Sequence, residues 1–177
     1  MTPFTHRTAD LTDAPRLAAV MEAAILDLQA GFLTPAQVAA SRLMMGLDTT
    51  LITDGTYFVI EAADQIAGCG GWSRRATMYG GDHSPGRDTA LLRPGHDAAR
   101  VRAMYTAPAF ARRGVGRLIL DLCHAAARAE GFDRVELVAS LAGEPLYAAA
   151  GYTPIERFED DRGEVPVPLV RMGRGLP

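Results

Sequence analysis

The stretch Ala111-Arg112-Arg113-Gly114-Val115-Gly116-Arg117 decides how this chain is read. Before it runs a strand-like segment, Arg100 to Thr106. After it runs an amphipathic helix, Gly114 to Glu130, with Val115, Leu118, Ile119, Leu122 and Ala126 on the inward face and Arg117, Asp121, His124 and Arg128 outward. Glycines let backbone approach a ligand closely, and a helix opening at Gly114 turns unpaired N–H groups and its positive dipole end toward whatever sits there. Arg112, Arg113 and Arg117 add planar guanidinium groups suited to phosphate, so the stretch reads as a phosphate site. Read alone, the same residues also make a plain strand-to-helix turn with solvated arginines.

Common nucleotide motifs do not fit. A P-loop needs a Lys, and all 18 Lys+Arg residues here are Arg. A dinucleotide fingerprint needs a third small residue where Ile119 stands, with an acidic residue at the end of a second strand. The lack of Lys also excludes Schiff-base and pyridoxal phosphate chemistry.

Composition sets the broad class. A chain of 177 residues, 48% hydrophobic, is expected to form one domain, 1–177, around a single core. A net charge of -3 and a pI near 5.8 give no case for nucleic acid or an anionic membrane as partner. Positive charge is local: residues 99 to 134 hold seven arginines against Asp121, Glu130 and Asp133. Cys69 and Cys123 lack ligand or redox spacing and read as buried thiols, so no metal is expected. The N-terminus has no apolar leader and no run of about 18 apolar residues occurs, which reads as a cytoplasmic protein.

Along the chain, Phe4 to Thr8 reads as a strand. A helix follows from a Thr12 cap to near Gly31, and a second from Thr34-Pro35, with Gln37 completing a capping box, to Gly46. Thr56 to Ala62 and Ile66 to Arg74 read as a hairpin about Ala63-Asp64-Gln65. Residues 76 to 98 read as a long irregular loop, a length that points to function or mobility. Then come strands Arg100 to Thr106 and Arg134 to Ala139, a short helix from Pro145 to Gly151, and strands Tyr152 to Phe158 and Val165 to Met172. The order is β-αα-βββ-α-β-α-ββ, an α/β fold with helices layered on a mixed, mostly antiparallel central sheet.

That order, the glycine turn, and the later run Leu146-Tyr147-Ala148-Ala149-Ala150-Gly151-Tyr152 together resemble the GCN5-related N-acetyltransferase family, from Phe4 to Met172. The family signature is Gln/Arg-x-x-Gly-x-Gly/Ala; its first position falls here on Ala111, and Arg113 precedes Gly114-Val115-Gly116 as in the family. The resemblance implies acetyl-CoA as co-substrate, its pyrophosphate held by backbone amides of Arg112, Arg113, Gly114, Val115, Gly116 and Arg117. It implies that the pantetheine arm lies along Met104-Tyr105-Thr106 like an added strand, where that strand splays from Arg134 to Ala139. An Asn common in the family is here Ser140, which can still bond the arm. A bulge near Tyr105 would free a backbone N–H for the oxyanion.

Tyr147 is the expected catalytic acid, since a phenol can protonate the departing thiolate; otherwise it is a core tyrosine, as Tyr152 is read. The acceptor is read as a primary amine on a small molecule, peptide or protein. Glu22, Glu61, Asp82 and His83 are candidate bases, and Trp72, Arg74, Tyr79 and His83 candidate acceptor contacts. His6, His96 and His124 show no partner spacing. Alternatives are a non-catalytic acyl-CoA sensor, another acyl-CoA donor, or an oxygen acceptor. A homodimer is left open.

Overall fold

The computed structural model describes residues 3–177. Seven strands form one sheet: β1 (Thr5–Thr8), β2 (Tyr57–Ala62), β3 (Gln65–Ser73), β4 (Ala99–Thr106), β5 (Arg134–Ser140), β6 (Thr153–Asp160) and β7 (Val167–Gly175). Their spatial order is β1-β2-β3-β4-β5-β7-β6. Every neighbouring pair is antiparallel except β4 with β5. That parallel pair holds only at Ala99 opposite Val135 and Arg100 opposite Glu136. Beyond these residues the strands diverge, and the sheet opens as a wedge.

Side chains alternate across each strand, so the sheet feeds two cores. On one face α1 (Ala14–Gln29), α2 (Pro35–Ser41) and α3 (Thr49–Thr53) pack Leu17, Met21, Val38 and Leu51 against Tyr57, Val59 and Cys69. On the other, α4 (Val115–Ala129) and α5 (Glu144–Ala149) pack Val115, Ile119, Cys123 and Tyr147 against Ile60, Val101, Val135 and Leu137. The glycines of β3 set how closely α4 lies. A Cβ at Gly68 would stand 2.5 Å from Val115 Cγ1 and 2.8 Å from the Tyr105 carbonyl oxygen. This close approach brings the start of α4 onto the sheet beside the wedge.

Four expectations need correction. The helix from Pro35 ends at Ser41, not Gly46, although its Thr34–Gln37 capping box is present; Met44 and Met45 instead turn inward beside the wedge. A short helix, α3, capped by Asp48, was not anticipated, because its threonines favour strand. The first helix is capped through Asp10 and a short Leu11–Asp13 turn rather than through Thr12. Finally, α4 buries Leu120 and Cys123 alongside Val115 and Ile119, and His124 is half-buried rather than outward. The helix touches both the sheet and Tyr152, so its apolar stripe is wider than one sheet contact requires.

The 76–98 segment is a folded excursion. Arg75 bridges Leu91, the Ala76 N–H donates to Ala90 O (2.9 Å), and the Leu92 N–H donates to Arg74 O (2.7 Å). Its first part is tied to the sheet by Arg102, which donates to the carbonyls of Thr77 (3.2 Å) and Gly80 (2.7 Å).

Candidate functional site

The site grows from an irregularity in β4. Cys69 lies opposite Tyr105 and Gly71 opposite Arg102, so Ala103 and Met104 together face Gly70. Ala103 takes φ +50°, and its carbonyl is held by the Tyr57 hydroxyl at 2.6 Å. A bulge of this kind leaves backbone groups outside the ladder and turns the strand. It stands where β4 parts from β5.

Past Thr106 the chain makes a Pro108–Phe110 turn, then two left-handed residues, Arg112 (φ +62°) and Gly114 (φ +88°), before α4 begins. No side chain caps α4, so its first N–H groups have no side-chain acceptor. They border a cleft of about 520 Å³. Arg112, Gly114, Gly116 and Arg117 of the turn line it together with Met104, Tyr105 and Thr106 of β4, Ser140 of β5 and Tyr147 of α5. The two glycines differ in purpose. Gly114 supplies a positive φ, whereas a Cβ at Gly116 would meet Leu146 Cδ2 of α5 at 2.7 Å. Arg113 departs from expectation: its guanidinium stacks between Phe110 (5.1 Å) and Phe4 (5.7 Å), leaving only its backbone at the turn.

A second cavity of about 90 Å³ occupies the wedge and shares Met45, Met104, Tyr105, Ser140 and Tyr147 with the larger cleft. Tyr147 therefore stands at the junction. Its ring is buried edge-on against Tyr152 at 5.9 Å, and among the described residues its hydroxyl has no hydrogen-bond partner. Burial pushes the phenol well above its ordinary pKa, which keeps it protonated and a donor. The Tyr105 hydroxyl accepts from the Gly46 N–H at 2.9 Å, which leaves its own proton free. Ser140 Oγ accepts from the Gly143 N–H at 3.2 Å.

The remaining candidates scatter. Tyr79 lines the smaller cavity and donates to the buried Asp160 at 2.9 Å, while Arg162 stacks on its ring at 5.2 Å. Trp72 lies on the α4 face of the sheet, packed on Phe132 at 5.9 Å, and Arg74 covers the Trp72 ring while pairing with Glu130 beyond the far end of α4. Neither reaches a cavity, because strand alternation sends Trp72 to the opposite face. His83 donates from Nε2 to Arg42 O (2.6 Å) and lines neither cavity. Of the candidate bases, Glu22 pairs with Arg42, Glu61 with Arg7, and Asp82 caps the Thr49 N–H. No carboxylate or imidazole lines either cavity among the described residues. None of their groups of His, Cys, Asp and Glu has a metal-holding arrangement, and no helix is long and apolar enough to cross a membrane.

Two sets of lining residues escaped the sequence reading. Arg102 is buried against Asp48 (2.9 Å), and Met44, Met45 and Met78 join the expected Met104 around the smaller cavity. An inward-facing arginine in β4 was legible from strand alternation. The methionines come from three separate segments, and no spacing links them.

Comparison with known proteins agrees with this fold. A family model described as an acetyltransferase (GNAT) domain matches residues 53–154. A solved structure of a GCN5-related N-acetyltransferase from Rhodopseudomonas palustris superposes with a TM-score of 0.70 at 18% identity, over 97% of this chain and 95% of that one. The PaiA N-acetyltransferase of Thermoplasma acidophilum, solved with coenzyme A, gives 0.65 at 10% identity over 98% and 99%. The ribosomal-protein-S18-alanine N-acetyltransferase of Escherichia coli gives 0.59 at 14% identity over 98% and 94%. No curated protein shows a sequence match.

Proposed function

Because the chain belongs to the GNAT acetyltransferase family, we propose that it moves an acetyl group from acetyl-CoA to an amine by direct attack within a ternary complex. One observation carries this reading: Tyr147, whose hydroxyl is protonated and has no partner among the described residues, stands where the cleft beside the glycine turn meets the wedge cavity. The uncapped start of α4, with Arg112 and Arg117 beside it, suits a pyrophosphate. The diverging β4 gives the pantetheine arm a backbone to pair with, and the bulge at Ala103 offers a place for the oxyanion. When bound, acetyl-CoA supplies the activated thioester. The amine reaches it through the wedge, and Tyr147 donates its proton to the departing sulfur.

The test is Tyr147→Phe, which keeps the ring against Tyr152 and deletes only the donor. Turnover read by free thiol release should fall about 10²- to 10⁴-fold, while coenzyme A affinity by calorimetry stays near wild type. A folded mutant that binds coenzyme A and turns over normally removes Tyr147 from the chemistry.

A further inference from the structure

The wall of the smaller cavity says what kind of acceptor it can hold. Among the described residues its one charged lining residue is Arg102, whose side chain is 3% exposed. The Arg102 Nη1 and Nη2 groups are committed to Thr77 O, Gly80 O and Asp48, and Asp48 is in turn shared with Arg87 at 2.7 Å. That carboxylate is thus already held by two guanidinium groups. An ammonium entering the cavity would leave water, find no free anion and face a guanidinium, and burying an unpaired charge is strongly unfavourable. An uncharged nitrogen meets none of these penalties. Met44, Met45, Met78 and Met104 line it together with Tyr79, Tyr105 and Tyr147. Thioethers are polarizable and adaptable, and they make favourable contacts with aromatic rings. At about 90 Å³ the cavity has room only for the reacting end of a small molecule.

Resting on the acetyl-transfer reading above, we propose that the acceptor is an aromatic amine, a weakly basic nitrogen on a flat ring that is uncharged at neutral pH. Its lone pair forms the C–N bond to the thioester carbonyl carbon and the C–S bond breaks. Sulfur leaves with the Tyr147 proton, and the proton lost by nitrogen restores the phenol, so the products are an aryl amide and a free thiol. No base is needed before attack, which accords with a cavity lined by none.

The test compares aniline with benzylamine, which share a ring and differ in charge, and adds a lysine-containing peptide. Thiol release and amide product are both measured. At pH 7 aniline should show a KM about 100-fold or more below that of benzylamine, because only a small fraction of an alkylamine is uncharged at that pH and the cavity admits that fraction alone. Met78→Glu places a carboxylate on the cavity wall and should narrow the gap; if that variant does not fold, the wild-type comparison decides alone. A KM for benzylamine or peptide equal to or below that for aniline overturns the inference, as does acceptance of no amine by a protein that acetyl-CoA stabilises. Failure of acetyl-CoA to stabilise the protein would instead remove the transfer reading, and this inference with it.

Discussion

His124 and Tyr147 show how burial assigns roles to single residues. Tyr147 keeps its phenolic proton because its surroundings oppose the phenolate, with no charged partner needed to hold it in that state. His124 was expected to face solvent, yet its Nε2 lies 2.7 Å from the Tyr152 hydroxyl, and Tyr152 in turn supports the Tyr147 ring. Burial first, then the charge of Arg174, lowers the imidazole pKa to about 4, against an ordinary value near 6.5. The folded protein therefore refuses a proton that the unfolded chain accepts between those two values. Stability should be unaffected by His124 above about pH 6.5 and should fall as pH drops toward 4, with no further loss below. Melting temperatures from pH 7.5 to 4 should show this slope in the wild type and a shallower one in His124→Gln. Equal slopes would mean that other groups carry the acid sensitivity. None of this was legible in the sequence, since a histidine on a helix shows its spacing and not what covers it.

At the scale of elements, the site depends on how tightly α4 seats on β3. Gly68 and Gly70 leave room for Val115 and Ile119, and an added methyl at Gly68 would press on both Val115 and the β4 backbone. Gly68→Ala should cost about 1–3 kcal/mol by overpacking and should also weaken coenzyme A binding, because the displaced element begins with the phosphate-facing turn. Gly31→Ala, with nothing within 4 Å of its Cβ, is the control. Denaturant melts and calorimetry on both variants check it; wild-type coenzyme A affinity in a destabilised Gly68→Ala would separate packing from binding. The loop of residues 76 to 98 is an element whose length drew attention for a reason the structure narrows. Only Met78, Tyr79 and Gly80 of that loop line the smaller cavity, and backbone hydrogen bonds fold much of the rest back on itself. Composition marked the loop; the buried Arg102 that ties it down lies in a different strand.

For the whole molecule, the wedge and the turn act together, so a ligand spanning both should stabilise the fold more than one that uses the turn alone. Acetyl-CoA at about 100 times its Kd should add roughly 2.7 kcal/mol, with ATP adding much less. Thermal melts decide this, and equal stabilisation by ATP would detach the wedge from the ligand. Element order apart from α3, the hairpin, the glycine turn and the Tyr147 segment were readable along the chain, because periodicity, caps and glycine positions are local properties of neighbouring residues. So was the family, which rests on two such segments in order. What only the tertiary structure decided is which residues meet. Trp72 and Arg74 lie near Tyr79 in sequence and end on the far side of the sheet, while Met45, Met78, Met104 and Tyr147 come from four separate segments to one cavity. The strand parity that sends a side chain to one face, and the short parallel pairing that lets β4 and β5 part, depend on partners distant in sequence. A linear reading carries no record of them.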